Sequence, residues 1–144
     1  MTKPHIKYRS GYKYQLVEEC KVKVSVIPKT NIKLDFIELN TEGMLIIKKG
    51  YAWDGPSGPT IDTLNFMRGS LVHDALYQLL RNELIDEKWR DEADEELRRI
   101  CLEDGMSKIC ARWVYIAVRK WGKVAASPES RKKIHFAPEG GTLL

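Results

Sequence analysis

The sequence has few cysteines and no long apolar run, and each absence excludes a class of protein. The 144 residues include three cysteines, Cys20, Cys101 and Cys110, an odd number without paired spacing. Such usage argues against a disulfide framework and favours reduced, buried thiols in a cytosolic setting. No segment approaches the roughly 18 uninterrupted apolar residues of a spanning helix. The first five residues lack an apolar signal core, so we expect neither an export signal nor a transmembrane segment.

The sequence also lacks a strong charge excess. Its net charge is +4, and 43% of its residues are hydrophobic and 31% charged. These fractions are typical of a globular protein rather than a disordered one. There is no zinc-finger spacing, recognition-helix signature or aromatic RNA-binding motif, so nucleic acid is not expected as a partner. The length fits a single domain.

The first half of the chain has strand-like patterning. Residues 12–17 and 21–27 have strand composition, and residues 22–26 alternate between apolar and polar side chains. Pro28 ends that run, residues 32–36 alternate again, and a polar turn precedes residues 44–47. Period-two alternation is typical of strands with one buried face. We therefore predict a small antiparallel β-meander within a β-rich region, residues 12–50.

The second half predicts three helices, over residues 65–81, 86–103 and 107–122. In the first, apolar residues fall largely on one face. The second begins with acidic residues, which favour a helix amino terminus. Gly105 is a natural stop, and Ser107 is a candidate cap for the third helix. Together these features predict an α+β fold, with a β-meander followed by an antiparallel helix pair and a third helix.

The third helix carries a continuous apolar stripe, which we expect to face the core. Its members are Ile109, Cys110, Trp113, Val114, Ala117, Val118 and Trp121. Gly122 is predicted to end the helix. The opposite face, with Lys108, Arg112, Arg119 and Lys123, is interpreted as solvated or as a surface resting on anionic lipid. The single domain then covers residues 1–126, with a connecting loop at 51–64, and residues 127–144 form a tail.

A loop rich in glycine and proline lies between the predicted sheet and the first helix. It runs from Trp53 to Gly58 and includes Pro56, with Pro59 directly after it. These residues form stiff, sharply folded turns. Glycine also lets backbone carbonyls or amides approach a ligand closely. The loop is either a rigid crossover or part of a binding site.

The first predicted helix contains the sequence His73-Asp74-Ala75-Leu76-Tyr77. His73 and Tyr77 are four residues apart and therefore share a face. Asp74 points about a hundred degrees away, towards the side from which the loop would approach. A histidine beside an aspartate is interpreted either as a satisfied core pair or as part of a catalytic site.

The second predicted helix supplies acids that would meet His73. A short connection makes the two helices antiparallel, and counting outward from it places His73 and Asp94 within about 3 Å in height. A carboxylate there would accept a hydrogen bond from the imidazole and fix its tautomer. Asp91, one turn earlier, is the alternative partner.

These motifs resemble an uncharacterised domain family of bacteriophages and prophages. That family combines a "DG-S-P" type loop, an "HD-x-L-Y" helix and an "AD" helix. The matching residues here are 54–59, 73–77 and 93–94. The resemblance implies a phage origin, and hence a place in the cytoplasm of an infected bacterium or in the virion, without implying an activity.

A more distant resemblance connects the same residues to the phospholipase A2 family. That family has a "Y-x-G-x-G-G" calcium loop, an "HD-x-C-Y" helix, and an antiparallel helix that donates an aspartate to the histidine. In the loop, Trp53 replaces the tyrosine, Ser57 replaces the second glycine, and Gly55 and Gly58 match the other two. On the helix, Leu76 replaces the cysteine of the motif.

This second resemblance implies a calcium-dependent esterase acting on phospholipid or another ester. His73 would be the general base, oriented by Asp94, with Tyr77 supporting Asp94 by a hydrogen bond. Ca²⁺ would be bound by Asp74 and by the backbone carbonyls of Trp53, Gly55 and Ser57. Asp54 and Gly58 would support the loop.

The alternative hypothesis is non-enzymatic. A phage-encoded domain can serve as a virion or tail component or as an inhibitor of a host protein, which would then be its partner. His73, Asp74 and Asp94 would form a buried polar network that specifies helix packing without a substrate. A zinc site is poorly supported, because no Cys/His ligand spacing exists. A cysteine nucleophile is not expected, because Cys101 and Cys110 lie on or beside apolar helical faces.

Overall fold

The computed structural model describes residues 4, 6, 8–9, 14–53 and 64–127. The amino-terminal part of this range forms seven short strands. They are β1 (Tyr8–Arg9), β2 (Tyr14–Leu16), β3 (Cys20–Lys23), β4 (Ile32–Lys33), β5 (Ile37–Leu39), β6 (Met44–Ile47) and β7 (Ala52–Trp53). The predicted β-rich region is confirmed, and all the strand pairs are antiparallel.

The strands form two sheets instead of the single meander that the sequence predicted. A four-stranded sheet has the order β3-β6-β5-β4, and a three-stranded sheet has the order β1-β2-β7. β7 returns to pair with β2, so that Tyr14 lies opposite Trp53. This long-range pairing places the end of β7, where the glycine- and proline-rich loop begins, beside the amino-terminal sheet.

Gly43 shows how tightly the larger sheet turns. Its φ is +84°, a left-handed conformation that side chains rarely adopt. A Cβ atom there would lie 2.5 Å from the Val24 carbonyl oxygen and 2.7 Å from Ile27 Cδ1. The turn before β6 therefore depends on glycine for both its conformation and its packing.

Three α-helices follow, and their order confirms the predicted α+β class. They are α1 (Leu64–Arg81), α2 (Arg90–Glu103) and α3 (Lys108–Ala125). A 3₁₀ turn at Glu87–Trp89 precedes α2, and its cap is Asp86, whose side chain accepts a hydrogen bond from the Lys88 backbone amide. The predicted second helix thus begins as a 3₁₀ turn.

The junction between α2 and α3 has the predicted terminators. Gly105 has a φ of +97°, and the Met106 amide donates to the Cys101 carbonyl at 2.9 Å, which closes the end of α2. Ser107 caps α3 by accepting a hydrogen bond from the Cys110 amide at 3.1 Å. The predicted end of α3 at Gly122 is wrong, because the helix continues to Ala125.

The core is centred on α1, which packs between the sheets and α2. Buried side chains of α1, including Leu71, Val72 and Leu76, join the inward-facing strand residues in one cluster. Gly69 permits a close approach of α2, since a Cβ atom there would lie 2.9 Å from Cys101 Sγ. This close contact sets the relative heights of α1 and α2 and hence of the polar residues they carry.

The prediction that the whole apolar stripe of α3 faces the core is wrong. Val114 is buried, but Ile109 and Trp113 are 74% and 71% exposed, and Cys110 is also exposed. α3 packs mainly on α2, through a narrow face that includes Ala111 and Val114. Because α2 is the main neighbour of α3, it covers only part of the wide apolar stripe that the sequence predicted. None of the helices in residues 64–127 has the length and apolarity that a bilayer crossing requires.

Candidate functional site

The antiparallel packing of α1 and α2 brings His73 and Asp94 into direct contact. His73 Nε2 lies 2.8 Å from Asp94 Oδ1, a hydrogen-bond distance. The side chain of His73 is 10% exposed and that of Asp94 is fully buried. The partnership that helix geometry predicted is therefore present, and Asp91 is not the partner of the imidazole.

Asp94 is the centre of a larger group, the Asp94 cluster, formed by His73, Tyr77, Arg90, Asp94 and Arg119. Tyr77 donates its hydroxyl hydrogen to Asp94 Oδ1 at 2.6 Å, a contact that the resemblance to the phospholipase A2 family implied. Arg119 Nη1 donates to Oδ2 at 2.9 Å, and Arg90 Nε lies 4.0 Å from the same oxygen. Two helices, α1 and α3, thus contribute hydrogen-bond donors to one buried carboxylate, and Arg90 of α2 adds a nearby positive charge.

The environment keeps Asp94 ionised. Burial alone would raise the pKa of its carboxyl group, because a charged group loses hydration. Hydrogen bonds from His73, Tyr77 and Arg119 outweigh burial and lower the pKa below the ordinary value of 3.8. An ionised carboxylate only accepts hydrogen bonds, so the proton between the two groups belongs to the imidazole.

This protonation fixes the tautomer of His73. Nε2 carries the hydrogen and donates to Asp94, which leaves the lone pair of the neutral ring on Nδ1. Nδ1 has no hydrogen-bond partner among the described residues. In those residues, every side-chain nitrogen or oxygen that is fully buried does have a partner, so Nδ1 is not fully buried. Nδ1 therefore accounts for part of the exposed surface of His73. A ring nitrogen with a free lone pair at the surface can accept a proton.

Tyr77 supports the pair from the same face of α1. Its ring centroid lies 4.0 Å from that of His73, with an angle of 37° between the rings. Burial first, and then the hydrogen bond to the Asp94 carboxylate, raises the pKa of the phenol well above its ordinary value. Tyr77 is consequently a permanent hydrogen-bond donor at physiological pH.

The two arginines of the Asp94 cluster were not predicted as site residues. Arg119 Nη1 also pairs with Asp91 Oδ1 at 2.7 Å, and Arg90 Nη2 donates to the Arg119 carbonyl at 2.7 Å. Arg90 lies four residues before Asp94, a spacing that could have identified it. Arg119 belongs to another helix, and nothing in its local sequence indicates that it faces Asp94.

Gly122 is the position of α3 that makes room for Tyr77. A Cβ atom at residue 122 would overlap the Tyr77 hydroxyl oxygen and lie 3.1 Å from Cζ. Such a contact requires the Tyr77 side chain or the backbone of α3 to move. The glycine that was predicted to end the helix is instead required by the packing around the Asp94 cluster.

The remaining predicted site residues lie around the loop. Asp74 follows His73 on α1 and is half-buried. Trp53 ends β7, and its indole nitrogen donates to the Ser70 hydroxyl of α1 at 3.2 Å, which ties the start of the loop to the helix. The predicted loop positions at 54, 55, 57 and 58 lie outside the described residues. The structure therefore anchors one end of the loop near the helix that carries His73.

The described residues contain no group of three or more His, Cys, Asp or Glu side chains arranged to hold a metal ion. Cys20 and Cys101 are buried, and burial raises the pKa of both thiols, that of Cys101 to about 12. A thiol whose pKa is raised to about 12, as that of Cys101 is, is not a nucleophile at physiological pH.

Comparisons with family models, curated proteins and solved structures find no match to this chain. Both resemblances rest on the motifs alone.

Proposed function

We propose that the protein is a small hydrolase that cleaves an ester, with phospholipid as the first candidate substrate, and that His73 is its general base. The carrying observation is the contact of His73 Nε2 with Asp94 Oδ1 at 2.8 Å. This contact orients the imidazole and leaves Nδ1 to take a proton. A base of this kind activates water by typically 10²–10⁴-fold.

The reaction uses each member of the cluster in a defined way. Nδ1 of His73 takes a proton from water as the water oxygen attacks the ester carbonyl, which gives a tetrahedral intermediate. Asp94 stabilises the imidazolium that forms. The intermediate then releases the alcohol, to which His73 returns the proton. Tyr77 and Arg119 are positioning residues, because they hold Asp94 and have no contact with the substrate in this mechanism.

Calcium is the cofactor that the resemblance implies. Asp74 and the backbone carbonyls of Trp53, Gly55 and Ser57 would hold it. The two described members of this set, Asp74 and Trp53, belong to the two elements that flank the loop, and both offer oxygen atoms, the donors that Ca²⁺ prefers. A bound Ca²⁺ would stabilise the negative charge that develops on the ester oxygen.

A second candidate function is non-enzymatic, as a phage structural protein or an inhibitor of a host protein. The observation that favours it is the extent to which Asp94 is saturated. Asp94 is fully buried and receives hydrogen bonds from His73, Tyr77 and Arg119, which come from α1 and α3. A cluster that joins three helices can act purely as a packing determinant.

An ester-hydrolysis assay with matched variants tests the proposal. The substrates are a fluorogenic short-chain ester and a short-chain phospholipid, each assayed with calcium and with a chelator. His73→Gln is expected to abolish turnover while the fold, followed by circular dichroism, is retained. Arg68→Met is the control, because it removes a buried cation from a different ion pair between α1 and the end of α2. Equal turnover by the wild type and His73→Gln would exclude His73 as the base.

Calcium binding is tested separately by thermal unfolding. A specific ion raises the melting temperature as its concentration increases. Asp74→Asn should remove this shift and Asp91→Asn, an exposed acid on α2, should retain it. If millimolar calcium does not raise the melting temperature of the wild type, the hydrolase does not use calcium through Asp74.

A further inference from the structure

Helix α3 presents apolar side chains to solvent on the face opposite its contact with α2. Ile109 is 74% exposed, Trp113 is 71% exposed and Ile116 is 46% exposed. The spacings of four and three residues place all three on one helical face. A large aromatic side chain exposed within such a group marks an interaction surface more often than an isolated exposed residue does.

The charges of α3 all have one sign. Its sequence, KICARWVYIAVRKWGKVA, contains five lysines and arginines and no aspartate or glutamate. Arg119 is paired with Asp91 and Asp94, whereas Arg112 and Lys123 are exposed on the same side as the apolar residues. We define the outer face of α3 as Ile109, Arg112, Trp113, Ile116 and Lys123.

The acidic side chains lie elsewhere in the helical layer. α2 contains Asp91, Glu92, Asp94, Glu95, Glu96 and Glu103. Asp91 and Asp94 pair with Arg119, and Glu96 and Glu103 pair with Arg99, so these acids are directed to partners within the protein. The outer face of α3 is therefore cationic as well as apolar, and its complement is an anionic surface with an apolar layer beneath it.

We propose that the outer face of α3 docks on a bilayer surface rich in anionic phospholipid. Ile109, Trp113 and Ile116 share one face of α3 and span about 10 Å along its axis, so with the helix lying flat on the bilayer all three would enter the lipid interface. Tryptophan favours the headgroup level of a bilayer, and neighbouring lysines and arginines are attracted to anionic lipid. The opposite face of the helix stays packed on α2. The docking does not depend on the proposed hydrolysis, because it requires no turnover.

Vesicle binding tests this proposal. The full chain is mixed with vesicles of phosphatidylcholine alone or of phosphatidylcholine with phosphatidylglycerol, and bound protein is separated by flotation. Binding is expected to the anionic vesicles, with at least roughly tenfold preference over the neutral ones, and it should weaken as salt is added. Absence of binding to anionic vesicles at low salt would overturn the proposal.

Two variants of the outer face and two matched controls assign the binding. Trp113→Ser and the double variant Arg112→Glu/Lys123→Glu should each lower the vesicle partition coefficient by roughly tenfold or more. Phe36→Ser, which changes another exposed aromatic residue, and Lys23→Glu/Lys29→Glu, which change two exposed lysines of the β-rich region, should leave it within about twofold.

Three outcomes contradict the proposal. In the first, anionic vesicles bind the outer-face variants as well as the wild type, so another part of the chain carries the binding. In the second, the control variants reduce binding as strongly as the outer-face variants. In the third, light scattering shows a stable dimer that Trp113→Ser dissociates while vesicle binding is absent, so a second copy of the chain covers the face. His73→Gln should bind vesicles normally, which separates this test from that of the proposed hydrolysis.

Discussion

Two buried ionic clusters join α1 to its neighbours, and they are built in opposite ways. In one, the Arg68 cluster, a buried cation is the centre. Arg68 is 7% exposed at its side chain and its Nη2 lies 2.9 Å from both Glu103 Oε1 and Asp104 Oδ1. In the Asp94 cluster a buried acid is the centre and its donors include an imidazole.

The two clusters differ in the types of side chain that surround the central charge. The Arg68 cluster contains a guanidinium and two carboxylates, and their ion pairs are sufficient to connect two helices. The Asp94 cluster adds an imidazole, the side chain best suited to accept and return a proton near neutral pH. Under the proposed hydrolysis this imidazole carries the proton, whereas under the non-enzymatic alternative both clusters only hold helices together. Variants in the two clusters can therefore distinguish the two roles.

The largest expected effect is the loss of turnover in His73→Gln. Removing a general base lowers the rate by about 10²–10⁴-fold, which corresponds to about 3–5.5 kcal/mol of transition-state stabilisation. Arg68→Met, in the comparison cluster, should change kcat by less than about threefold at a temperature where it remains folded. The measurement is ester hydrolysis under saturating substrate. A similar loss of kcat in both variants would show that the assay reports stability alone.

The next largest effect is on stability. Asp94→Ala should lower the free energy of unfolding by about 3–5 kcal/mol, because it leaves the imidazole, the phenol and a guanidinium without their shared acceptor. Arg68→Met should cost less, because the side chains of Glu103 and Asp104 are 40% and 17% exposed and regain some hydration, whereas Asp94 is fully buried. Urea denaturation followed by circular dichroism measures both. A cost for Asp94→Ala below that of Arg68→Met would contradict the central position of Asp94.

Gly122→Ala tests how closely α3 packs against the Asp94 cluster, for which the Arg68 cluster has no counterpart among the described residues. The added methyl group would meet the Tyr77 hydroxyl, and overpacking of this kind costs about 1–3 kcal/mol. The double variant Tyr77→Phe/Gly122→Ala removes the hydroxyl and should recover part of that cost, as a double-mutant cycle by thermal or urea unfolding would show. Strict additivity of the two substitutions would mean that residue 122 does not press on Tyr77.

The smallest expected effect is on acid stability. The pKa of Asp94 is lower in the folded state than its ordinary value of 3.8, so the unfolded chain binds this proton more readily. The stability that this ionisation adds is present above about pH 4 and is lost as pH falls through the folded-state pKa. In Asp94→Asn the acid branch of the stability curve should be shallower. The measurement is urea denaturation from neutral pH to about pH 3, and parallel curves for the two proteins would contradict it.

Much of the helical half could be predicted from the sequence. Gly105 ends α2 and Ser107 caps the start of α3, as the local sequence predicted. The contact between His73 and Asp94 was also predictable, because a short connection between antiparallel helices fixes the relative heights of their residues. Both follow from interactions between residues close in sequence or from simple helix geometry.

What the sequence did not reveal depends on packing between distant elements. The division into two sheets follows from the pairing of β7 with β2, which are far apart in the chain. Arg119 reaches Asp94 because α3 packs on α2 in one particular rotation, and the same rotation exposes Trp113. The spacing of apolar residues in α3 predicts an amphipathic helix. It does not predict how much of the apolar stripe a neighbouring helix covers.

The tautomer of His73 tests the central claim most directly. The chain has three histidines, so a nitrogen-15 spectrum of histidine-labelled protein contains few signals, and His73→Gln identifies those of His73. We predict that Nε2 carries a hydrogen wherever Asp94 is ionised, as the hydrogen bond between them requires. A His73 ring with its hydrogen on Nδ1, or with neither nitrogen sensitive to Asp94→Asn, would contradict a base held by Asp94.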